Sequence, residues 1–109
     1  RTVVEPDVFV IRRPPTPATH WFDVGVPLLV VEIVSRSTAS RDRGIKRRLY
    51  QRAGVEQYWI VDLDARIVER WSPTDQRPEV VAGLLRWTLT TGASGDIDLP
   101  TFFAKVLDR

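Results

Sequence analysis

The 109-residue sequence contains no cysteine, no methionine and only one histidine. The absence of cysteine excludes disulfide bonds and thiolate metal sites, and it fits the reducing cytoplasm where we expect the protein. No apolar run approaches the roughly 18 residues that a membrane-spanning helix requires, so we expect no membrane partner. The absence of methionine, with a start that resembles neither a signal peptide nor an initiator region, predicts a piece of a longer reading frame.

A strong excess of either charge is also absent, since 16 basic side chains face 14 acidic ones. The basic residues are nevertheless concentrated between positions 36 and 52, where the only acid is Asp42. The members of this basic segment are Arg36, Arg41, Arg43, Lys46, Arg47, Arg48 and Arg52. Such a cluster is commonly a solvated helix face, but it also suits the backbone of a nucleic acid.

The hydrophobic pattern predicts one α/β or α+β domain, residues 1–109, with a mixed sheet and at least one packed helix. Apolar runs predict strands over residues 3–11, 28–34, 57–62 and 66–71, and weaker strands over 79–81 and 85–90. Helical spacing predicts helices over residues 41–53, ended by Gly54, and 101–107. Turn-rich composition predicts irregular connections over residues 12–27 and 92–100.

Glu32 lies in the middle of the apolar stretch LLVVEIVS, residues 28–35. A buried carboxylate without a partner costs several kcal/mol, so this side chain must reach water, a protein partner or a cation. Asp7 likewise interrupts the upstream apolar run EPDVFV. If the two strands are neighbours in a compatible register, both carboxylates converge and suit a hard cation such as Mg²⁺. Each acid alone could equally be a carboxylate at a strand end that reaches water.

Helical periodicity places Lys46, one of only two lysines, on the sheet side of the predicted helix. At about 100° per residue, Asp42 and Tyr50 share that side, whereas Arg43 and Arg47 are expected to face solvent. An exposed Asp42–Lys46 pair would stabilise the helix by only about 0.3–0.5 kcal/mol, which does not explain the inward position of the lysine. A lysine beside two carboxylates and a metal suits phosphodiester hydrolysis.

The stretches EPDVFV and PLLVVEIVSRSTASRDRGIKRRLYQRAGVEQYWIVD resemble the Uma-type family of "putative restriction endonucleases", a branch of the PD-(D/E)XK nuclease superfamily. The resemblance runs from about Val4 to Trp71 and implies a restriction-endonuclease-like core. It implies that Asp7 and Glu32 are the catalytic acids and hold Mg²⁺ or Mn²⁺. The superfamily lysine stands two residues after the second acid, where this sequence has Val34, and the resemblance assigns its role to Lys46.

The remaining site residues fall into two groups. The arginines expected on the DNA backbone are Arg36, Arg41, Arg43 and Arg47. The residues that the resemblance assigns to supporting positions are Ser35, Asp42 and Tyr50. Gly54, Tyr58, Trp59 and Asp62 also match the family pattern, but the resemblance assigns them no role in the site. Family members usually carry a further N-terminal helix, hairpin and glutamate, so we expect this chain to be a fragment without that part.

These observations together predict a Mg²⁺-dependent DNA endonuclease, acting as a homodimer because nucleases that cut both strands often pair two sites. A second hypothesis is a catalytically inactive relative that serves as a nucleic-acid-binding or protein-interaction module. A third is a structural domain whose basic helix is only solvated surface. Metal binding separates the first hypothesis from the others, and salt-dependent DNA binding separates the second from the third.

Overall fold

A five-stranded mixed sheet is the centre of the computed structural model, which describes residues 7–11, 25–35 and 40–108, with backbone only for 40–43. In spatial order the strands are β1 (Val8–Val10), β2 (Leu29–Val34), β3 (Gln57–Asp62), β4 (Ile67–Trp71) and β5 (Glu79–Val81). Strands β2 and β3 run parallel, and the other neighbours run antiparallel. The predicted mixed sheet is confirmed, while residues 3–6 and 12–24 of the predicted first strand and loop lie outside the described residues.

Helix α1 (Ser40–Ala53) connects the two parallel strands, as a parallel pair requires a crossover. It ends where predicted, because Gly54 adopts a left-handed conformation with φ of 82°. The amide of Gly54 donates to the Gln51 carbonyl, and the amide of Val55 donates to the Tyr50 carbonyl, both at 3.1 Å. This pair of bonds is the Schellman arrangement, which satisfies the last carbonyls of the helix. The helix packs on one face of the sheet through a buried cluster of Val30, Tyr50, Val55, Tyr58, Ile60 and Trp71.

The opposite face of the sheet is covered by a separate hairpin, β6 (Leu84–Thr88) and β7 (Ser94–Asp98), and by helix α2 (Leu99–Leu107). Their apolar side chains join the sheet in a second buried cluster of Leu29, Trp59, Val61, Val68, Leu85, Leu89, Leu99 and Phe103. Most of the hydrophobic core therefore lies on the face away from α1. In the part of the chain that the structure describes, neither helix is long and apolar enough to cross a membrane.

The irregular connection predicted over residues 92–100 is wrong for most of its length. Residues 94–98 form β7, and Asp98 caps α2 by accepting a hydrogen bond from the amide of Thr101 at 3.1 Å. Gly95, which favoured a loop in the sequence, is required by packing instead. A Cβ atom at this position would lie 2.9 Å from the ring of Trp87 on the paired strand.

Candidate functional site

Glu32 is the only polar or charged residue in the buried class within the described residues, with 4% of its surface exposed. In β2 it occupies the same face as Val30, because alternate side chains of a strand point the same way. That face is the one covered by α1, so the glutamate lies under the helix rather than at a wet edge. Because this carboxylate is buried between apolar residues, it requires partners within the protein or a cation.

Helix α1 supplies two such partners, one helical turn apart. The Lys46 ammonium nitrogen lies 3.5 Å from Glu32 Oε2. The Tyr50 hydroxyl donates to Glu32 Oε1 at 3.3 Å. The structure thus places Lys46 towards the sheet, as helical periodicity predicts, and 28% of its side chain remains exposed.

Asp7 lies on the neighbouring segment, directly before β1. Because β1 and β2 are antiparallel with Val8 opposite Val31, the next pair in the same register is Asp7 opposite Glu32. Residues that face each other across antiparallel strands share a side of the sheet. The Asp7 carboxylate also accepts a hydrogen bond from the amide of Ile33 at 2.7 Å, which ties the segment to β2. The neighbouring positions expected for the two acids are therefore present.

The electrostatics of the cluster are dominated by the removal of Glu32 from water. Burial raises the pKa of the Glu32 carboxyl above its usual range, the Lys46 ammonium lowers it in part, and the negative charge of Asp7 raises it again. Burial and the charge of Glu32 also raise the pKa of the Tyr50 phenol, so this group is a protonated donor at neutral pH. Two carboxylates beside one ammonium leave the cluster with an unfavourable excess of negative charge.

The chemistry of this cluster fits a small divalent cation. Its two acids offer carboxylate oxygens, the ligands that Mg²⁺ prefers, and a cation would offset their mutual repulsion. Within the described ranges, no group of three or more histidine, cysteine, aspartate and glutamate side chains converges. Two carboxylates are nevertheless sufficient for Mg²⁺, which commonly retains several waters and takes further oxygens from a phosphate substrate.

The orientation predicted for Arg47 is wrong. Its guanidinium carbon lies 4.5 Å from the ring centroid of Trp71, the last residue of β4, and it donates to the side chain of Gln51 at 3.0 Å. Gln51 in turn donates to the backbone carbonyls of Ser72 and Asp75 at 2.9 and 2.8 Å. The flank of α1 that periodicity assigns to solvent therefore contacts β4 and the connection after it. Helical angles give the direction of a side chain but not the position of a neighbouring strand, so sequence reasoning missed this contact.

Several of the other predicted site residues lie in or beside the segment between β2 and α1. Arg36 and the side chains of Arg41, Asp42 and Arg43 lie outside the described residues, and their roles stay predictions. Ser35 follows β2 directly and is half-buried. Asp62 ends β3, where its carboxylate accepts hydrogen bonds from the amides of residues 64 and 65 at 3.0 Å and so shapes the β3–β4 turn.

Comparisons with known proteins agree with this architecture. The Uma2 family, described as "Putative restriction endonuclease", matches the chain over residues 1–100. The fold is similar to the crystal structure of "a putative nuclease belonging to DUF820" from Anabaena variabilis ATCC 29413, with a TM-score of 0.62 and 18% sequence identity. That similarity covers 76% of this chain and 47% of the other, so the chain spans about half the length of that protein. Among curated proteins, none matches the chain.

Proposed function

The chain belongs to the Uma2 family, and on that premise we propose that it forms the active-site core of a metal-dependent endonuclease that hydrolyses phosphodiester bonds of DNA. One observation supports this proposal most strongly. A carboxylate that is 4% exposed in an apolar strand lies against a lysine and beside a second carboxylate on the neighbouring segment. Burying such a charge is costly, so a purely structural domain would gain stability by replacing it with an apolar residue.

In this proposal Asp7 and Glu32 would hold Mg²⁺ or Mn²⁺. When bound, the cation would supply Lewis-acid polarisation of the phosphate and would lower the pKa of a water ligand. Lys46 is suited to the reacting phosphate because its ammonium group is anchored at 3.5 Å from Glu32 while part of the side chain remains exposed. Its positive charge would stabilise the negative charge that develops on the phosphate oxygens as the attacking water forms its bond to phosphorus.

The basic segment is the part of the chain that we propose contacts the DNA backbone. Within the described residues, Arg48 and Arg52 of α1 are exposed and available for phosphate contacts. The guanidinium group of Arg47 lies over the Trp71 ring, so it adds to the local positive potential from a fixed position. Arg36, Arg41 and Arg43 complete the proposed surface by their place in the sequence.

One observation favours a second candidate, DNA binding without cleavage. Arg48 and Arg52 of α1 are exposed, and phosphate contacts by such side chains require neither the acidic pair nor a cation. Under this candidate the protein binds DNA with a strong dependence on salt but leaves the phosphodiester bonds intact.

Plasmid nicking by the full-length protein tests the proposal. We expect nicking with Mg²⁺ or Mn²⁺ and none with EDTA. Glu32→Gln should abolish nicking, because the amide lacks the negative charge that holds the cation. The matched control is Glu79→Gln, since Glu79 lies on the far edge strand and pairs with Arg70, and this variant should nick like the wild type.

Equal nicking by the wild type and Glu32→Gln would contradict the assignment of Glu32 to the active site. Salt-dependent DNA binding without nicking in any metal would favour the second candidate.

A further inference from the structure

Tyr50 contacts the proposed active site in a way that the reaction outlined above does not use. Its hydroxyl donates to Glu32 Oε1 at 3.3 Å, and only 5% of the residue is exposed. The other carboxylate oxygen, Oε2, lies 3.5 Å from the Lys46 ammonium. Both oxygens of the glutamate are therefore held by one helix, from residues one turn apart.

The position of the Tyr50 hydroxyl is fixed by the surrounding backbone and core. The Tyr50 carbonyl accepts the amide of Val55 in the bond that closes the end of α1. Its ring packs on the buried ring of Tyr58, with the centroids 4.9 Å apart and the planes at 43°. Tyrosine has only two side-chain torsions, so a backbone anchor and a packed ring leave its hydroxyl little freedom.

Glu32, by contrast, requires external groups to fix its carboxylate. The terminal torsion of a glutamate has a broad minimum, so the plane of its oxygens rotates unless hydrogen bonds hold it. The strand fixes the backbone position of Glu32 but not the orientation of its carboxylate plane. With Oε2 on the lysine and Oε1 on the tyrosine, that plane is fixed beside Asp7.

The hydrogen bond from Tyr50 to Glu32 is long. At 3.3 Å it exceeds the usual range of about 2.5–3.0 Å for hydrogen bonds between oxygens, so its contribution to folding is small. Hydrogen bonds of an active site are often long before substrate and cofactor bind, and they shorten in the loaded complex.

We propose that Tyr50 is a positioning residue, whose hydroxyl orients the Glu32 carboxylate for the cation that Glu32 and Asp7 share. This inference rests on the proposed function. The tyrosine does not contact the reacting phosphate, and it acts through Glu32 in the way that outer partners of metal ligands act elsewhere. Removal of such partners commonly costs about 10–100-fold in metal affinity or activity.

The test compares Tyr50→Phe with Tyr58→Phe in the full-length protein. Both variants remove one hydroxyl from the same buried ring pair and keep both rings, but only the first removes the donor to Glu32. Two quantities are measured: the Kd for Mn²⁺ by isothermal titration calorimetry without DNA, and kcat and KM for nicking at saturating Mn²⁺. All measurements use a temperature at which circular dichroism shows every variant folded.

We expect Tyr50→Phe to weaken Mn²⁺ binding about tenfold or more and to lower kcat with KM for DNA unchanged. Tyr58→Phe should stay within about twofold of the wild type in each quantity.

If Tyr50→Phe matches the wild type in Kd and kcat while the wild type binds metal and nicks DNA, the positioning role is wrong and the proposed function stands. If both variants lose the same amount, packing of the ring pair is responsible and the positioning role is again wrong. If the wild type neither binds Mn²⁺ nor nicks DNA, the proposed function itself fails.

Discussion

Glu32 is the one charged residue that is buried within the described part of the chain, and removing its carboxylate from water costs free energy. It is buried in a strand whose neighbouring residues are apolar. Its partners are a lysine that is 28% exposed and a tyrosine that donates a long hydrogen bond. An uncompensated buried charge costs about 3–5 kcal/mol, and these partners offset only part of such a cost. Stability alone does not account for this burial, whereas the proposed function accounts for it by making Glu32 a ligand of a cation.

The raised pKa of Glu32 gives a pH dependence with a defined sign. Burial holds the proton on the folded protein above the ordinary pKa of 4.5, so the folded state binds more protons than the unfolded chain over that interval. The stability contributed by the protonated carboxyl is thus complete below pH 4.5 and is lost as the pH rises through the folded-state pKa. We predict that the free energy of unfolding of the wild type, relative to Glu32→Gln, falls over this interval.

Urea unfolding of both proteins at a series of pH values, with EDTA present, measures this difference directly. The glutamine variant serves as the reference because it keeps the shape of the side chain without the titrating proton. A difference that stays constant, or that grows with pH, would show that Glu32 is not desolvated in the folded protein.

Two individual residues illustrate what the sequence does and does not reveal. Lys46 was predictable, because lysine is rare here and helical periodicity turns it towards the sheet, where it contacts Glu32. The contact of Arg47 with Trp71 was not predictable. It depends on how far the helix leans over β4, and that distance is set by tertiary packing rather than by the period of the helix.

Helix α1 connects the sheet to the site, since it carries both donors to Glu32. Its Schellman end and the buried side chain of Tyr50 fix one end over β2 and β3. Gln51 fixes its flank, because its amide donates to two backbone carbonyls in the connection after β4. The helix is therefore held from two directions at the turn that carries Tyr50.

Replacement of Gln51 by alanine should loosen this attachment. The variant loses two hydrogen bonds to backbone and the bond that Gln51 accepts from Arg47. At about 0.5–1.5 kcal/mol for each backbone bond, we expect the free energy of unfolding to fall by at least about 1–3 kcal/mol. The control is Arg52→Ala, which truncates an exposed neighbour on the same helix and should change stability by less than about 0.5 kcal/mol. Equal urea midpoints for the two variants would contradict the anchoring role of Gln51.

The elements differ in how clearly the sequence specifies them. Strand β3 and the end of α1 agree with prediction because a continuous apolar run and a helix-ending glycine are strong local signals. Strand β7 was missed because its composition of serine, glycine and aspartate is typical of turns. Its strand conformation comes from pairing with β6, where Gly95 makes room for the Trp87 ring. Long-range pairing of this kind leaves little trace in a local pattern.

In the whole molecule, the two faces of the sheet carry different residues and pack against different elements. The face under α1 carries the acidic cluster, whereas the other face holds the larger apolar cluster beneath the β6–β7 hairpin and α2. The sequence predicted a mixed sheet with a packed helix, but it did not assign the C-terminal hairpin and helix to the opposite face. The larger apolar cluster thus lies on the face that does not carry the buried carboxylate.

Isothermal titration of Mn²⁺ into the full-length protein measures whether Asp7 and Glu32 together bind a divalent cation. The wild type should bind one Mn²⁺ per site, and either Asp7→Asn or Glu32→Gln should remove most of that affinity. The Glu79→Gln control, on the opposite edge of the sheet, should bind like the wild type. Unchanged binding by both Asp7→Asn and Glu32→Gln, or no binding by the wild type, would show that the two acids do not form a cation site.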